Sequence, residues 1–443
     1  MELTNARPRP STAALIAAAN AVRWTAYFLF FVMLFLPTAY QALKAGLLGT
    51  VLAGIAADAM LRDRIFLDRR VVAMSLGFAA LGALFVLRGV LNGAPGALAM
   101  FNVYVTWPLA YTVLVAGAAS QVVLRGLIRI VVIGANAIAV YSLVFVLHEL
   151  HYWPDVLYVA FDQGQAIGFY GSYVEFNLYS ISSLLFITPF LIAALLVFPA
   201  AGGPVTRRTL WVSLGLNILT VLLTGRRALL ILLPIAPALA LFFRSWLIPA
   251  HKRASRSLVA RALWGALALA VIVGVSLGAF GGLSPRGFVR MVSTGFEFNT
   301  DPVAMLRRDQ LGALVTGWLA DPFLGSGHGA AAPGVIRSVE TPWAYELSYM
   351  ALLYHTGLVG LLAYASGVAW IGVKGYEIAR SGWIEAPSMV ATFVGTASFL
   401  IANATNPYLE KYDYVWVIFL PVAFVNCYQV TRATPQLHAD PPA

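Results

Sequence analysis

Two pairs of adjacent arginines and one glycine-rich stretch hold most of the chemistry this chain can offer. Thr224-Gly225-Arg226-Arg227 runs straight into Ala228-Leu229-Leu230, which puts two guanidiniums at the start of an apolar helix. A helix N-terminus carries a partial positive charge and free N–H groups. Cations there are unfavourable alone but form an anion trap once a phosphate arrives, because the planar guanidinium can bind two oxygens at once. The bland alternative is that Arg226 and Arg227 snorkel to lipid headgroups or pair with acids such as Glu297 or Asp301. Arg307-Arg308, followed by Asp309, forms the second pair. It reads equally well as an anion clamp or as part of a solvated loop helix.

The stretch Ala320-Asp321-Pro322-Phe323-Leu324-Gly325-Ser326-Gly327-His328-Gly329 is rich in turn residues. Gly325, Gly327 and Gly329 would let the backbone approach a ligand and present its N–H groups, although a plain surface loop has the same look. His328 could accept a proton, bind phosphate or simply be exposed, and exposure is the default expectation. Thr341-Pro342-Trp343-Ala344-Tyr345-Glu346 then leads into another apolar run, with Thr341 as an expected N-cap and Pro342 in the first turn. Glu346 near that helix start is a candidate general base. Partial desolvation would raise its pKa, and nearby arginines would lower it. An ordinary N-terminal helix acid is the competing reading.

Other chemistries find no motif. The chain has no Gly-x-x-x-x-Gly-Lys-Ser/Thr loop for a nucleotide, no His-Glu-x-x-His, and one cysteine, Cys427, so neither a metal nor a cofactor is expected. His148 and His151 are three residues apart at a loop edge, which is feeble metal spacing.

The elements that must position these residues follow from composition. Of 443 residues, 60% are hydrophobic and only 11% charged. Soluble domains carry roughly 25% charged residues, so this chain has too few to cover a water-facing surface. Apolar runs of about 18 residues or more recur, each long enough to cross a bilayer core. Their lack of alternation predicts helices rather than a barrel. The expected fold is an all-α polytopic transmembrane bundle, one integral membrane domain over 1–443. Twelve spans are expected, near 25–43, 45–60, 71–88, 99–119, 128–147, 176–199, 209–223, 228–243, 263–283, 346–373, 387–403 and 414–430.

Twelve spans put both termini on one side, with residues 1–23 as an uncleaved cytoplasmic lead. The loops on that side then hold Arg62, Arg64, Arg69 and Arg70; Arg125 and Arg129; Arg207 and Arg208; Arg244, Lys252, Arg253, Arg256 and Arg261; and Lys374 and Arg380. This is the positive-inside pattern of a bacterial inner-membrane protein. It accounts for the net charge of +10 without a nucleic-acid partner. Arg226, Arg227, Arg286, Arg290, Arg307, Arg308 and Arg337 fall on the opposite, periplasmic side, against the bias. Three segments face that side: 148–175, a large partly helical loop at 284–345, and a short turn at 404–413.

The order of these features resembles the O-antigen ligase and polymerase superfamily, membrane glycosyltransferases of the C-type fold class. The resemblance rests on the T-G-R-R turn before a span, an arginine in a long periplasmic loop, D-P-F-L-G-S-G-H-G, and then E-L-S-Y-M-A-L-L-Y-H-T-G-L-V-G-L-L leading a helix. It covers about 220–365, and the order and sidedness of short motifs carry it. Ligases of this superfamily have His-Asn at the helix start, where this chain has Tyr345-Glu346, and the glutamate resembles the polymerase-like branch. The resemblance implies an inverting, metal-independent transfer of glycan from a polyprenyl-diphosphate carrier. Arg226, Arg227 and Arg307 or Arg308 would hold the diphosphate, and Glu346 or His328 would act as base. The acceptor would be a growing glycan or, in a ligase, lipid A-core. A secondary transporter or flippase is the expectation from another class, although no two-fold repeat is visible.

Overall fold

The computed structural model describes residues 12–62, 65–170, 173–199, 202–247, 302–336 and 338–433. Helices dominate it: α1 (Thr12–Phe35), α2 (Gln41–Arg62), α3 (Arg69–Leu91), α4 (Ala97–Gly117), α5 (Gln121–Glu149), α6 (Leu184–Val197), α7 (Arg207–Thr224) and α8 (Arg227–Leu247). After the undescribed stretch come α9 (Pro302–Ala320), α10 (Ser348–Arg380), α11 (Ala386–Asn403) and α12 (Trp416–Ala433). One antiparallel hairpin, β1 (Ala166–Tyr170) and β2 (Tyr173–Asn177), pairs Ala166 with Asn177 between α5 and α6.

Local sequence explains several boundaries. Asp68, Ser120 and Thr206 each cap a helix by accepting a backbone N–H with the side chain, at the starts of α3, α5 and α7. Pro37 closes α1, and Thr38 and Tyr40 then turn the chain with positive φ into α2. The expected first span, 25–43, is thus cut at Phe35. α6 is apolar on every side and almost wholly buried, as an all-round hydrophobic helix must be. It packs against α11 and α8 to form the centre of the bundle.

Nine described helical stretches are long and apolar enough to cross a membrane. They match nine of the twelve expected spans. The expected spans at 209–223 and 414–430 are the helices α7 and α12, which are not among the nine. The span expected at 263–283 lies outside the described residues.

Chain reversals sort the turns into two groups. One end of the bundle gathers the turns at 36–40, 92–96, 225–226 and 404–415, with the hairpin, α9 and the segment 321–347. Cross-contacts tie it together, including Thr38 to Asp413, Gly96 to Gly329, Tyr179 to Tyr414 and Tyr349 to Leu400. The other end carries most of the described basic residues, among them Arg69, Arg70, Arg125, Arg129, Arg207 and Arg208. There Arg125 pairs with the buried Glu385 at 2.5 Å, and Arg129 donates to the Pro204 carbonyl at 2.9 Å.

Candidate functional site

The arginine turn between α7 and α8 forms as its sequence requires. Gly225 caps α7 in the left-handed region, φ 65°, which a residue with a Cβ adopts only at a cost. The Thr224 hydroxyl accepts the Arg226 N–H at 3.2 Å, and the Arg226 carbonyl takes the first N–H groups of α8. The Arg226 guanidinium is half-buried. It donates to Ser182 Oγ at 3.0 Å and to Asn177 Oδ1 at the end of β2. The Tyr414 hydroxyl lies within its electrostatic reach. Both side-chain bonds go to neutral oxygens, so the positive charge of Arg226 remains to attract an anion. Arg227 opens α8, half-buried and engaged within the protein.

The second arginine pair behaves differently. Arg307 Nε donates to Glu346 Oε2 at 2.6 Å, so the expected clamp and the expected base neutralise one another. Gln310, one turn further along α9, accepts the Glu346 backbone N–H at 3.0 Å and orients the carboxylate's residue. Arg308, about half exposed, pairs with its neighbour Asp309 at 3.5 Å and is further engaged within the protein. Glu346 is not in the first helical turn: α10 begins at Ser348 after Leu347, and Thr341 closes a separate turn with Ala344. The N-cap expected at Thr341 is therefore absent. The Arg307–Glu346 bridge, not a helix dipole, fixes the acid.

The glycine-rich segment is folded into the protein rather than held open for a ligand. α10 is broken at Gly357, φ 60° and ψ −170°, which frees the carbonyls of Tyr354 and His355 and the N–H groups of Leu358 and Val359. Ser326 and Gly327 donate to the two carbonyls at 2.9 and 2.8 Å, and Pro322 and Phe323 accept the two N–H groups at 2.9 and 3.1 Å. A break in a membrane helix is tolerable only when such partners satisfy it. A Cβ on Gly325 would strike the Tyr354 carbonyl and Gly357, one on Gly327 would strike Gly89, and one on Gly329 would strike Gly96. Two of the three glycines do not present free N–H groups: Gly325 and Gly327 donate theirs to the carbonyls of Asp321 and His355 at 3.0 and 2.8 Å.

His328 is 0% exposed, which corrects the expectation of a surface histidine. Its ring stacks on Tyr104 at 3.8 Å, and Nε2 meets the Tyr364 hydroxyl at 3.2 Å. Tyr104 comes from a π-helical turn, Asn102–Thr106, that widens α4 at this point. Burial, reinforced by His355, holds the imidazole well below its ordinary pKa of 6.5, so it is neutral near pH 7. Arg88, in the last turn of α3, secures the segment by donating to the Gly325 carbonyl at 2.6 Å and pairing with Asp321.

Sequence reasoning passed over the residues that join these parts. Asp413, in the α11–α12 turn, accepts from Lys44 at 2.7 Å, from Gln41 at 3.1 Å and from the Thr38 N–H at 2.8 Å. Lys44 and Asp413 are both inaccessible to solvent, a buried ion pair that ties the turn to the start of α2. The turn thereby seats Tyr412 beside Trp107 and Tyr111, and Tyr414 beside Arg226. A lysine at the edge of an apolar run was the one visible signal. Arg286, Arg290 and Arg337, with the candidate partners Glu297 and Asp301, lie outside the described residues.

The chain matches no protein-family model, and no curated protein and no solved structure is similar to it. The class of protein follows from its own helices: it is a multi-pass helical membrane protein.

Proposed function

We propose that this protein transfers or polymerises glycan from a polyprenyl-diphosphate carrier at the end of the bundle that holds Arg226, which faces the periplasm of a bacterial inner membrane. In this reading the chain crosses the membrane twelve times, with 263–283 as the ninth span and both termini cytoplasmic. One observation carries the proposal: Arg226 is fixed by Asn177 and Ser182, keeps its charge, and sits at the end where the positive-inside rule leaves few cations. The carrier diphosphate binds Arg226 and Arg227. Glu346, oriented by Arg307 and Gln310, takes the proton of an acceptor hydroxyl. That oxygen attacks the anomeric carbon from the far face, and the carbon–oxygen bond to the diphosphate breaks with its electron pair leaving on phosphate. The product is an inverted glycosidic bond, and the arginines stabilise the charge that builds on the leaving group. Neutral, enclosed His328 is assigned to holding the segment 321–330 in place. Glutamate in the base position favours repeat-unit polymerisation over ligation to lipid A-core.

The test uses purified protein with a synthetic polyprenyl-diphosphate oligosaccharide, and surface glycan in cells. Arg226→Ala is expected to lower turnover ~10²–10³-fold, the loss typical of one charge-stabilising donor. Normal long chains in Arg226→Ala, Arg227→Ala and Glu346→Ala alike would remove the proposal. Deleting the gene separates the two activities, since a missing polymerase leaves single repeats on the carrier and a missing ligase leaves long chains there.

One observation favours a second reading, a transporter. The Lys44–Asp413 pair is enclosed at one end of the bundle, and ion-coupled carriers use buried charges of this kind. Movement of a solute into liposomes with its covalent structure intact would favour that reading.

A further inference from the structure

At the basic end of the bundle, α1, α2, α4, α5 and α12 leave a cleft of about 520 Å³ between them. Its walls are apolar, with Met33, Ile55, Leu114 and Phe419 among them, and its size falls within the range of small-molecule sites. Arg23 stands at the mouth, and its Nε is enclosed without a hydrogen-bond partner among the described residues. Asp58, on the same rim, is already engaged within the protein. Arg23 is the one arginine among the residues that line the cleft. Trp24, 64% exposed beside Arg23, is the residue type that settles at headgroup level.

We propose that this cleft holds an acyl chain of one anionic phospholipid whose headgroup phosphate bonds Arg23. Apolar lining alone confers little selectivity in a bilayer, because the surrounding lipid tails are equally apolar. Specificity must then come from the headgroup, and a basic mouth between helices selects an anionic one. The enclosed Nε supplies the directed donor that a surface lysine would lack. The site is at the opposite end from Arg226 and does not depend on the glycan-transfer reading.

Full-length protein in nanodiscs of equimolar phosphatidylglycerol and phosphatidylcholine, with matched chains, provides the test by native mass spectrometry after detergent release. The wild type is expected to keep one phosphatidylglycerol with a ~10-fold preference, because both phosphates can bond Arg23 but only phosphatidylcholine brings a second cation beside the guanidinium. Arg23→Gln is expected to erase that preference while leaving the helices intact. Ala26→Phe, which fills the cleft, is expected to lower retention of either lipid ~10-fold, with monodispersity as the folding control. Equal retention of both lipids by the wild type, a preference that survives Arg23→Gln, or displacement of phosphatidylglycerol by a polyprenyl phosphate would each overturn the proposal.

Discussion

The Arg226 guanidinium is held by an amide and a hydroxyl, partners that orient it without cancelling its charge. Lysine at this position would keep the charge but lose the fork, so under the proposed glycan transfer Arg226→Lys is expected to lower kcat/KM ~10-fold, mainly through weaker binding of the carrier. A KM increase larger than the kcat decrease is the expected pattern. In the proposed reaction Arg307→Ala acts through Glu346: it removes the bridge at 2.6 Å that orients the carboxylate and is expected to lower kcat with little change in KM. An unchanged kcat would mean that the bridge does not position a base. His328 makes a separate statement about pH. Its folded pKa is depressed, so the unfolded chain binds the extra proton as pH falls below 6.5. The folded state then loses stability as pH falls below 6.5. His328→Asn is expected to reduce that loss in thermal unfolding between pH 6.5 and 5, whatever it does to the midpoint.

Among the elements, the break in α10 and the glycine-rich segment form one device. Each supplies the hydrogen bonds the other lacks, and Gly357 has both a positive φ and no room for a Cβ beside the Phe323 carbonyl. Gly357→Ala therefore combines backbone strain with a steric clash, and the expected loss is about 3 kcal/mol, read as a lower midpoint of thermal unfolding in detergent. Gly334, also at positive φ but with open space around it, is the control for strain alone. The segment 321–330 reads in the sequence as a turn-rich loop whose glycines let the backbone approach a ligand. The helix break 30 residues later is what converts it into a packed strap.

At the scale of the whole molecule, the α11–α12 turn gathers the arginine-bearing end, and the buried Lys44–Asp413 pair anchors it. Removing one partner leaves an uncompensated buried charge, so Lys44→Met is expected to cost about 3–5 kcal/mol. Lys44→Met combined with Asp413→Asn keeps an acceptor for the Thr38 N–H and is expected to recover most of that loss. Recovery of stability without recovery of turnover would assign the charges themselves to function. Full recovery of both would make the pair purely structural.

Composition and apolar run length determined on their own that this chain is a helical membrane protein. The Thr224-Gly225-Arg226-Arg227 turn before an apolar run was equally local, so the arginine turn was legible before any coordinates. The site was legible only in part. Arg226, Arg307 and Glu346 were identifiable as residues, yet nothing nearby in sequence announces that Arg307 neutralises Glu346 or that Asn177 and Ser182 hold Arg226. Lys44 and Asp413 are 369 residues apart, and their meeting depends on α2 and the last turn reaching the same end of the bundle. Helix formation is written within a few turns of chain. The pairing of charges and of broken backbone is decided only when distant segments share a space from which water is excluded.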